Sequence, residues 1–177
     1  MLFTRKGDDG MSGLFGTPER LPKDSPLFEA LGTLDELNSL LGICFAQADE
    51  MRGEPPFKPA LRSAQENLFI IQAELAGADK TLTQANVDVL EQTIAEFERH
   101  IENPHSFVIA GVSEISAFLD YARTVSRRAE RRVLSARGIR ETSPATRKYL
   151  NRLSSLLYAL ARAAAACTNA TEQKPSY

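Results

Sequence analysis

Five arginines and one glutamate fall within the ten residues Arg123-Thr124-Val125-Ser126-Arg127-Arg128-Ala129-Glu130-Arg131-Arg132. Arginine stays charged at any accessible pH, and its planar fork of donors matches the oxygens of a phosphate. Residues of like charge one helical turn apart repel unless an anion lies between them. From Asp120 to Arg152 there are ten Lys/Arg against three Asp/Glu, whereas the whole chain carries a net charge of −2. A basic site on a near-neutral chain suits a small anionic ligand better than a long polyanion, and it argues against nucleic acid as a partner. The alternative is a solvated helix face, with Arg127 paired to Glu130.

A second group of residues lies at the N-terminus. Thr4-Arg5-Lys6-Gly7-Asp8-Asp9-Gly10-Met11-Ser12-Gly13-Leu14-Phe15-Gly16 sets four glycines three residues apart. Glycine permits positive φ and close backbone approach, so successive N–H groups can form an anion-binding nest. Thr4 and Ser12 add hydroxyls, and Arg5, Lys6 and Lys23 add charge. The loop lacks the Gly-Lys-Ser/Thr ending of a phosphate-binding P-loop and has no strand before it. It reads equally as a flexible terminus, and the Asp8-Asp9 pair either caps the loop or helps to hold magnesium.

These groups need a scaffold. Apolar residues recur at spacings of three and four in five segments, the pattern of amphipathic helices. The first runs from about Ser25 to Glu50 and carries Leu34, Leu37, Leu41, Cys44 and Ala48. Gly53 to Pro59 breaks the chain. A second segment carries Leu61, Ala64, Leu68, Ile71 and Leu75 and stops near Gly77. The third carries Val87, Leu90, Ile94, Phe97 and Ile101 and stops before Pro104. After an apolar loop from His105 to Val112, the fourth carries Ile115, Phe118, Ala122, Val125, Ala129, Val133 and Ala136 and ends near Gly138. A fifth begins near Pro144 and carries Leu150, Leu153, Leu157, Leu160 and Ala164. No strand-type alternation of useful length is present. The expected fold is all-α, an up-and-down antiparallel five-helix bundle in one domain spanning 1–177. Within it, 1–23 is the loop, 24–168 the bundle and 169–177 a frayed polar tail.

On the fourth helix, a turn of about 100° per residue puts Arg123, Arg127, Glu130 and Arg131 opposite the apolar stripe, with Arg128 and Arg132 on its flank. That face meets water or lines a site between subunits. Cys44 and Cys167 lack metal-ligand spacing and read as inert core thiols in a reducing compartment. His100 and His105 read as surface or loop residues. No leader-like start and no apolar run of about 20 residues is seen, so a cytoplasmic location is expected and no membrane partner.

Three blocks in order resemble the PduO-type ATP:cob(I)alamin adenosyltransferases. They are Thr4-Arg5-Lys6-Gly7-Asp8-Asp9-Gly10-Met11-Ser12 leading to Lys23-Asp24, then Glu29-Ala30-Leu31-Gly32-Thr33-Leu34-Asp35-Glu36-Leu37-Asn38-Ser39. The third joins Ala122-Arg123-Thr124 and Arg127 to Arg132 with Tyr149-Leu150-Asn151-Arg152-Leu153-Ser154. The resemblance implies a homotrimer with sites between subunits, ATP as co-substrate with magnesium, and cobalamin as the acceptor. It implies transfer of the 5′-deoxyadenosyl group to cob(I)alamin, giving adenosylcobalamin and triphosphate. It assigns Thr4, Arg5, Lys6, Gly7, Ser12 and Lys23 to the nucleotide, together with Arg127, Arg128, Ala129, Glu130, Arg131 and Asn151. It pairs Asp35 with Arg123 across the interface, and lays Phe107 over the corrin, where an apolar loop excludes the lower ligand of cobalt. It also implies a cob(II)alamin reductase and an adenosylcobalamin-dependent enzyme as partners.

The chain departs from the family pattern at Ala110-Gly111-Val112, where proline-glycine-glycine is common. Asp120 stands in place of histidine, Lys6 in place of threonine and Ser155 in place of aspartate. The departures at Ala110-Gly111-Val112 and Asp120 fall on the corrinoid side. The altered loop at Ala110 to Val112 keeps open a second reading, a trimeric ATP- and corrinoid-binding sensor or cofactor chaperone with weak catalysis. A third reading is a helical module whose basic helix meets an acidic protein.

Overall fold

The computed structural model describes residues 3–14, 18–50, 55–102, 106–168 and 171–177; Gly16 and His105 lie outside them. Five helices make up the body: α1 Pro26–Gln47, α2 Phe57–Ala76, α3 Gln84–Glu98, α4 Glu114–Ser135 and α5 Pro144–Cys167, with a 3-10 turn at Ala48–Glu50 after α1. The expected boundaries hold to within a few residues, except that α2 starts ahead of Pro59. Proline is tolerated there because the first-turn N–H groups have no partner inside the helix.

Local chemistry explains where the helices start and stop. Ser25 and Ser143 each precede a proline at the first helical position, and each hydroxyl accepts from an amide three residues on, Phe28 at 3.4 Å and Thr146 at 3.0 Å. Ser113 and Ser116 cap α4 reciprocally. At the end of α2, Gly77 donates to the Glu74 carbonyl at 3.0 Å and Ala78 to that of Ala73 at 2.9 Å.

The stripes meet in one core. Leu34, Leu37, Leu41, Leu68, Ile71, Leu75, Leu153, Leu157 and Leu160 are buried, and Phe57 of α2 meets Phe97 of α3 edge-on at 5.3 Å. α4 packs between α1 and α5, while α3 lies on α5 and α2 on α1. The packing order therefore departs from a simple up-and-down succession. The α3–α4 connection carries the chain past α5 to a slot beside α1, which brings the basic helix next to the acidic residues of α1.

Two expectations are corrected. The N-terminal loop contains a short antiparallel hairpin, β1 Met11–Gly13 with β2 Arg20–Pro22, in which Met11 faces Pro22 and Ser12 faces Leu21. The tail is not frayed in its described part: the Ile109 amide donates to the Gln173 carbonyl at 2.8 Å, and Glu172 pairs with Arg162 at 2.6 Å. Among the described residues, no helix is long and apolar enough to cross a membrane.

Candidate functional site

The loop is organised by an arginine that sequence reasoning passed over. Arg20, on β2, donates to both Asp9 carboxylate oxygens at 2.9 and 3.0 Å, to the Met11 carbonyl at 3.2 Å and to the Lys6 carbonyl. The Arg20 guanidinium, helped by the Met11 amide, holds the Asp9 carboxyl below the usual carboxylate range. Asp9 thus caps the loop. Asp8 makes no side-chain contact among the described residues.

Lys23 closes the loop from the other side, its Nζ donating to the Gly7 carbonyl at 2.7 Å. A Cβ on Gly7 would lie 2.9 Å from that nitrogen, so a larger residue there would push the flexible end of Lys23 off the loop. Arg5 holds φ +60°, a left-handed conformation that side chains disfavour by about 1 kcal/mol. Thr4 accepts from the Lys6 amide at 3.4 Å, and Ser12 lies half-buried on β1.

On α4 the structure divides the arginines. Arg128 pairs with Glu36 of α1 at 2.5 Å and Arg132 with Glu29 at 3.7 Å. Arg123 approaches Asp120 at 3.4 Å. Arg127 and Arg131 are exposed, and their side chains have no partner among the described residues. The Arg127–Glu130 pair is not formed: Glu130 instead accepts from Asn151 of α5 at 3.1 Å. Ala129 is fully buried at 0% exposure, so its side chain belongs to the core rather than to a ligand.

Beside this face a cleft of about 320 Å³ lies between α4 and α5. Glu130 and Asn151 line it together with Arg137, Arg147, Lys148 and Arg152, four cations outside the expected set. Asn151 thus stands among basic groups, one of which, Arg147, is turned inward to the Thr142 carbonyl.

The remaining candidates lie elsewhere. Asp35 is exposed on α1 with no side-chain partner among the described residues, and it does not meet Arg123 within one chain. Phe107 is 78% exposed, in the loop ahead of α4. Beside that loop a cavity of about 300 Å³ is lined by Ile109, Ala110, Gly111 and Val112 on one wall and Thr171 and Gln173 on the other.

Asp120 is buried and bonded to Arg162, which is 4% exposed. This buried ionic cluster was also missed; the signal available was an arginine inside the apolar run Leu160-Ala161-Arg162-Ala163-Ala164. Cys44 is a core thiol, pushed up to about 12 by burial, but Cys167 is exposed and is not the core thiol expected. His100, exposed, contacts the Glu96 carbonyl at 2.8 Å. No cluster of metal-ligating side chains occurs among the described residues.

A loop carrying hydroxyls and cations, two arginines unpaired among the described residues and a cleft lined by basic side chains are chemically suited to a polyphosphate. Residues 2–164 match the family model described as cobalamin adenosyltransferase. The chain is 38% identical over 170 residues to the corrinoid adenosyltransferase PduO of Salmonella typhimurium, covering 92% of this chain and 49% of that protein, about half its length. It is 38% identical over 168 residues to the corrinoid adenosyltransferase of Bacillus subtilis, covering 91% of this chain and 84% of that protein. A variant PduO-type ATP:corrinoid adenosyltransferase from Lactobacillus reuteri, solved with ATP, superposes with a TM-score of 0.85 at 26% identity, covering 99% of both chains. With the motifs, the fold and these likenesses in agreement, the chain belongs to the cobalamin adenosyltransferase family.

Proposed function

We propose that this chain is a corrinoid adenosyltransferase, moving the 5′-deoxyadenosyl group of ATP to cob(I)alamin. The observation that carries the reading is the pair Arg127 and Arg131, one turn apart and uncompensated, beside a cleft that holds Asn151. In the reaction, the Co(I) electron pair forms the cobalt–carbon bond. The C5′–O bond breaks, and its electrons leave with triphosphate. The nucleophile is supplied by the substrate, so the protein needs no serine, cysteine or histidine in that role. Its tasks are alignment and neutralisation of the charge that gathers on the leaving triphosphate.

In this reading Arg127 and Arg131 hold the triphosphate, while Thr4, Arg5, Lys6, Gly7, Ser12 and Lys23 hold the nucleotide from the loop. Arg128 acts at one remove, by fixing α4 against α1 through Glu36. Magnesium fits as an ion that arrives on the phosphates: it keeps several waters and needs no all-protein cage, and Asp8 is the loop carboxylate left free for it. Phe107, exposed on its loop, would cover the corrin and exclude the lower ligand of cobalt.

The site is completed by assembly, and we place it between the subunits of a trimer. Two features support this. Among the described residues, no hydrogen bond or ion pair joins the loop to α4. Asp35 and Arg123 are exposed and half-buried groups of opposite charge that a second subunit can pair. Sedimentation that returned a monomer at assay concentrations would refute the arrangement.

The deciding experiment is anaerobic incubation with ATP and reduced cobalamin, following loss of Co(I) absorbance. Adenosylcobalamin and triphosphate should form in equal amounts. Release of ADP and phosphate, or unchanged Co(I), would overturn the proposal.

A further inference from the structure

Four charged side chains form a line from the basic helix to the C-terminal tail. Asp120 of α4 approaches Arg123 at 3.4 Å through one carboxylate oxygen and bonds Arg162 of α5 through the other. Arg162 reaches Glu172 of the tail at 2.6 Å and lies over the Tyr158 ring at 5.1 Å. Next to Glu172, the Gln173 carbonyl receives the Ile109 amide at 2.8 Å. The loop at 109–112 and the tail then form opposite walls of one cavity.

A buried arginine is retained only if carboxylates neutralise it. Asp120 supplies one of them from the helix. Glu172 supplies the other from a segment whose own sequence, Thr171-Glu172-Gln173-Lys174, would otherwise be solvated. The Arg162 Nε and Nη1 and the Glu172 Oε1 make no hydrogen bond, so Glu172 holds Arg162 as a close ion pair, and the guanidinium is short of hydrogen-bond partners even with both carboxylates in place. Removing Glu172 therefore exposes an electrostatic deficit at Arg162 and frees the tail together with it. Without the tail, the Ile109 amide loses its acceptor.

We propose that Asp120, Arg162 and Glu172 form an ionic latch that fixes the tail, and through Gln173 the loop 109–112, making Arg162 a positioning residue for the corrinoid side of the site. The latch stands on the geometry alone; the identity of the ligand it serves rests on the adenosyltransferase reading. Arg162 touches neither substrate. Its effect is to hold the segment that follows Phe107 in one conformation before the corrinoid arrives, and pre-organisation of that kind lowers the cost of binding.

The test uses Glu172→Ala and Glu172→Gln in the full chain, since a partly exposed tail residue can change without unfolding the bundle. Hydrogen exchange at the Ile109 amide should quicken by roughly tenfold in Glu172→Ala, with amides in the middle of α5 unchanged. The KM for cob(I)alamin should rise by roughly three- to tenfold while the KM for ATP stays constant. Glu172→Gln, which keeps the shape and a hydrogen-bonding oxygen, should fall between the two. Unchanged exchange at Ile109 overturns the latch. Quickened exchange with an unchanged corrinoid KM, or with both KM values raised alike, overturns the positioning role. If the unaltered protein consumes no cob(I)alamin, the adenosyltransferase reading fails; the Ile109 exchange then upholds or overturns the latch by itself.

Discussion

Replacing Arg127 by alanine separates a triphosphate clamp from a solvated helix face. Arg127 is exposed and has no side-chain partner among the described residues, so folding loses no contact when it is removed. It has Arg123 and Arg131 at four residues on either side, and each such like-charge neighbour costs about 0.2–0.5 kcal/mol. Relief of both, with the slightly better helix propensity of alanine, returns up to about 1 kcal/mol. In a chain of this size that raises Tm by about 2–4 °C. The effect on catalysis runs the other way. A donor aimed at charge that develops in the transition state is worth about 10²–10³ in kcat. Arg128→Ala is the control. It breaks the Glu36 pair, whose side chains are 42% and 45% exposed, so it costs about 0.2–1 kcal/mol in stability and less than about tenfold in kcat/KM. Thermal unfolding and steady-state adenosylation measure both quantities on the same preparations. If Arg127→Ala lowers Tm, or leaves kcat/KM within about threefold of the starting enzyme, the separation of folding arginines from ligand arginines is wrong.

Exchanging the charges of Asp35 and Arg123 in one variant should restore activity that either single change removes, and a double-mutant cycle with no coupling would refute a direct pair. Phe107→Ala should leave Tm unchanged, because the ring is 78% exposed, yet abolish the four-coordinate Co(II) spectrum with ATP bound; an unchanged spectrum sinks its assigned role. Because the native Asp9 carboxyl is depressed, its stabilisation of the loop is complete above the ordinary carboxyl value and is lost as pH falls through the lower native one. ATP affinity should therefore be insensitive to Asp9 from about pH 5 to 8, and loss of the loop centred above about pH 5 would contradict the Arg20 contact. A thiol reagent at pH 8 should modify Cys167 quickly, and Cys44, held at about 12 by burial, only on denaturation; two fast thiols in the native protein would refute this.

The helices were legible because the code for them is local. Leucines at three-four spacing found the core, and Pro144 marked the start of the fifth helix. The hairpin was not legible for a physical reason. Strands of three residues are too short to show alternation, and the fastener is Arg20, eleven residues from Asp9, with no feature that separates it from a surface arginine. The tail failed in the same way. Its residues are polar and read as solvated, and only a partner on another element, Arg162, gives them a place.

The candidate site shows where periodicity stops being sufficient. A helical wheel puts Arg128 and Arg132 on the flank of α4, but their roles depend on what faces them, and that is set by the insertion of α4 beside α1. Glu36 and Glu29 take those two arginines, and Asp120 approaches Arg123. The fold thus has carboxylates available for α4 and, among the described residues, spends none on Arg127 or Arg131. A protein selected only for stability gains from placing a carboxylate there or removing the charge. Two adjacent cations left unpaired, on a helix that elsewhere balances its arginines, are costs that folding does not require. On the adenosyltransferase reading proposed above, a ligand that brings its own negative charge would offset them, and a triphosphate leaving group, whose charge grows along the reaction coordinate, would make the largest demand on both.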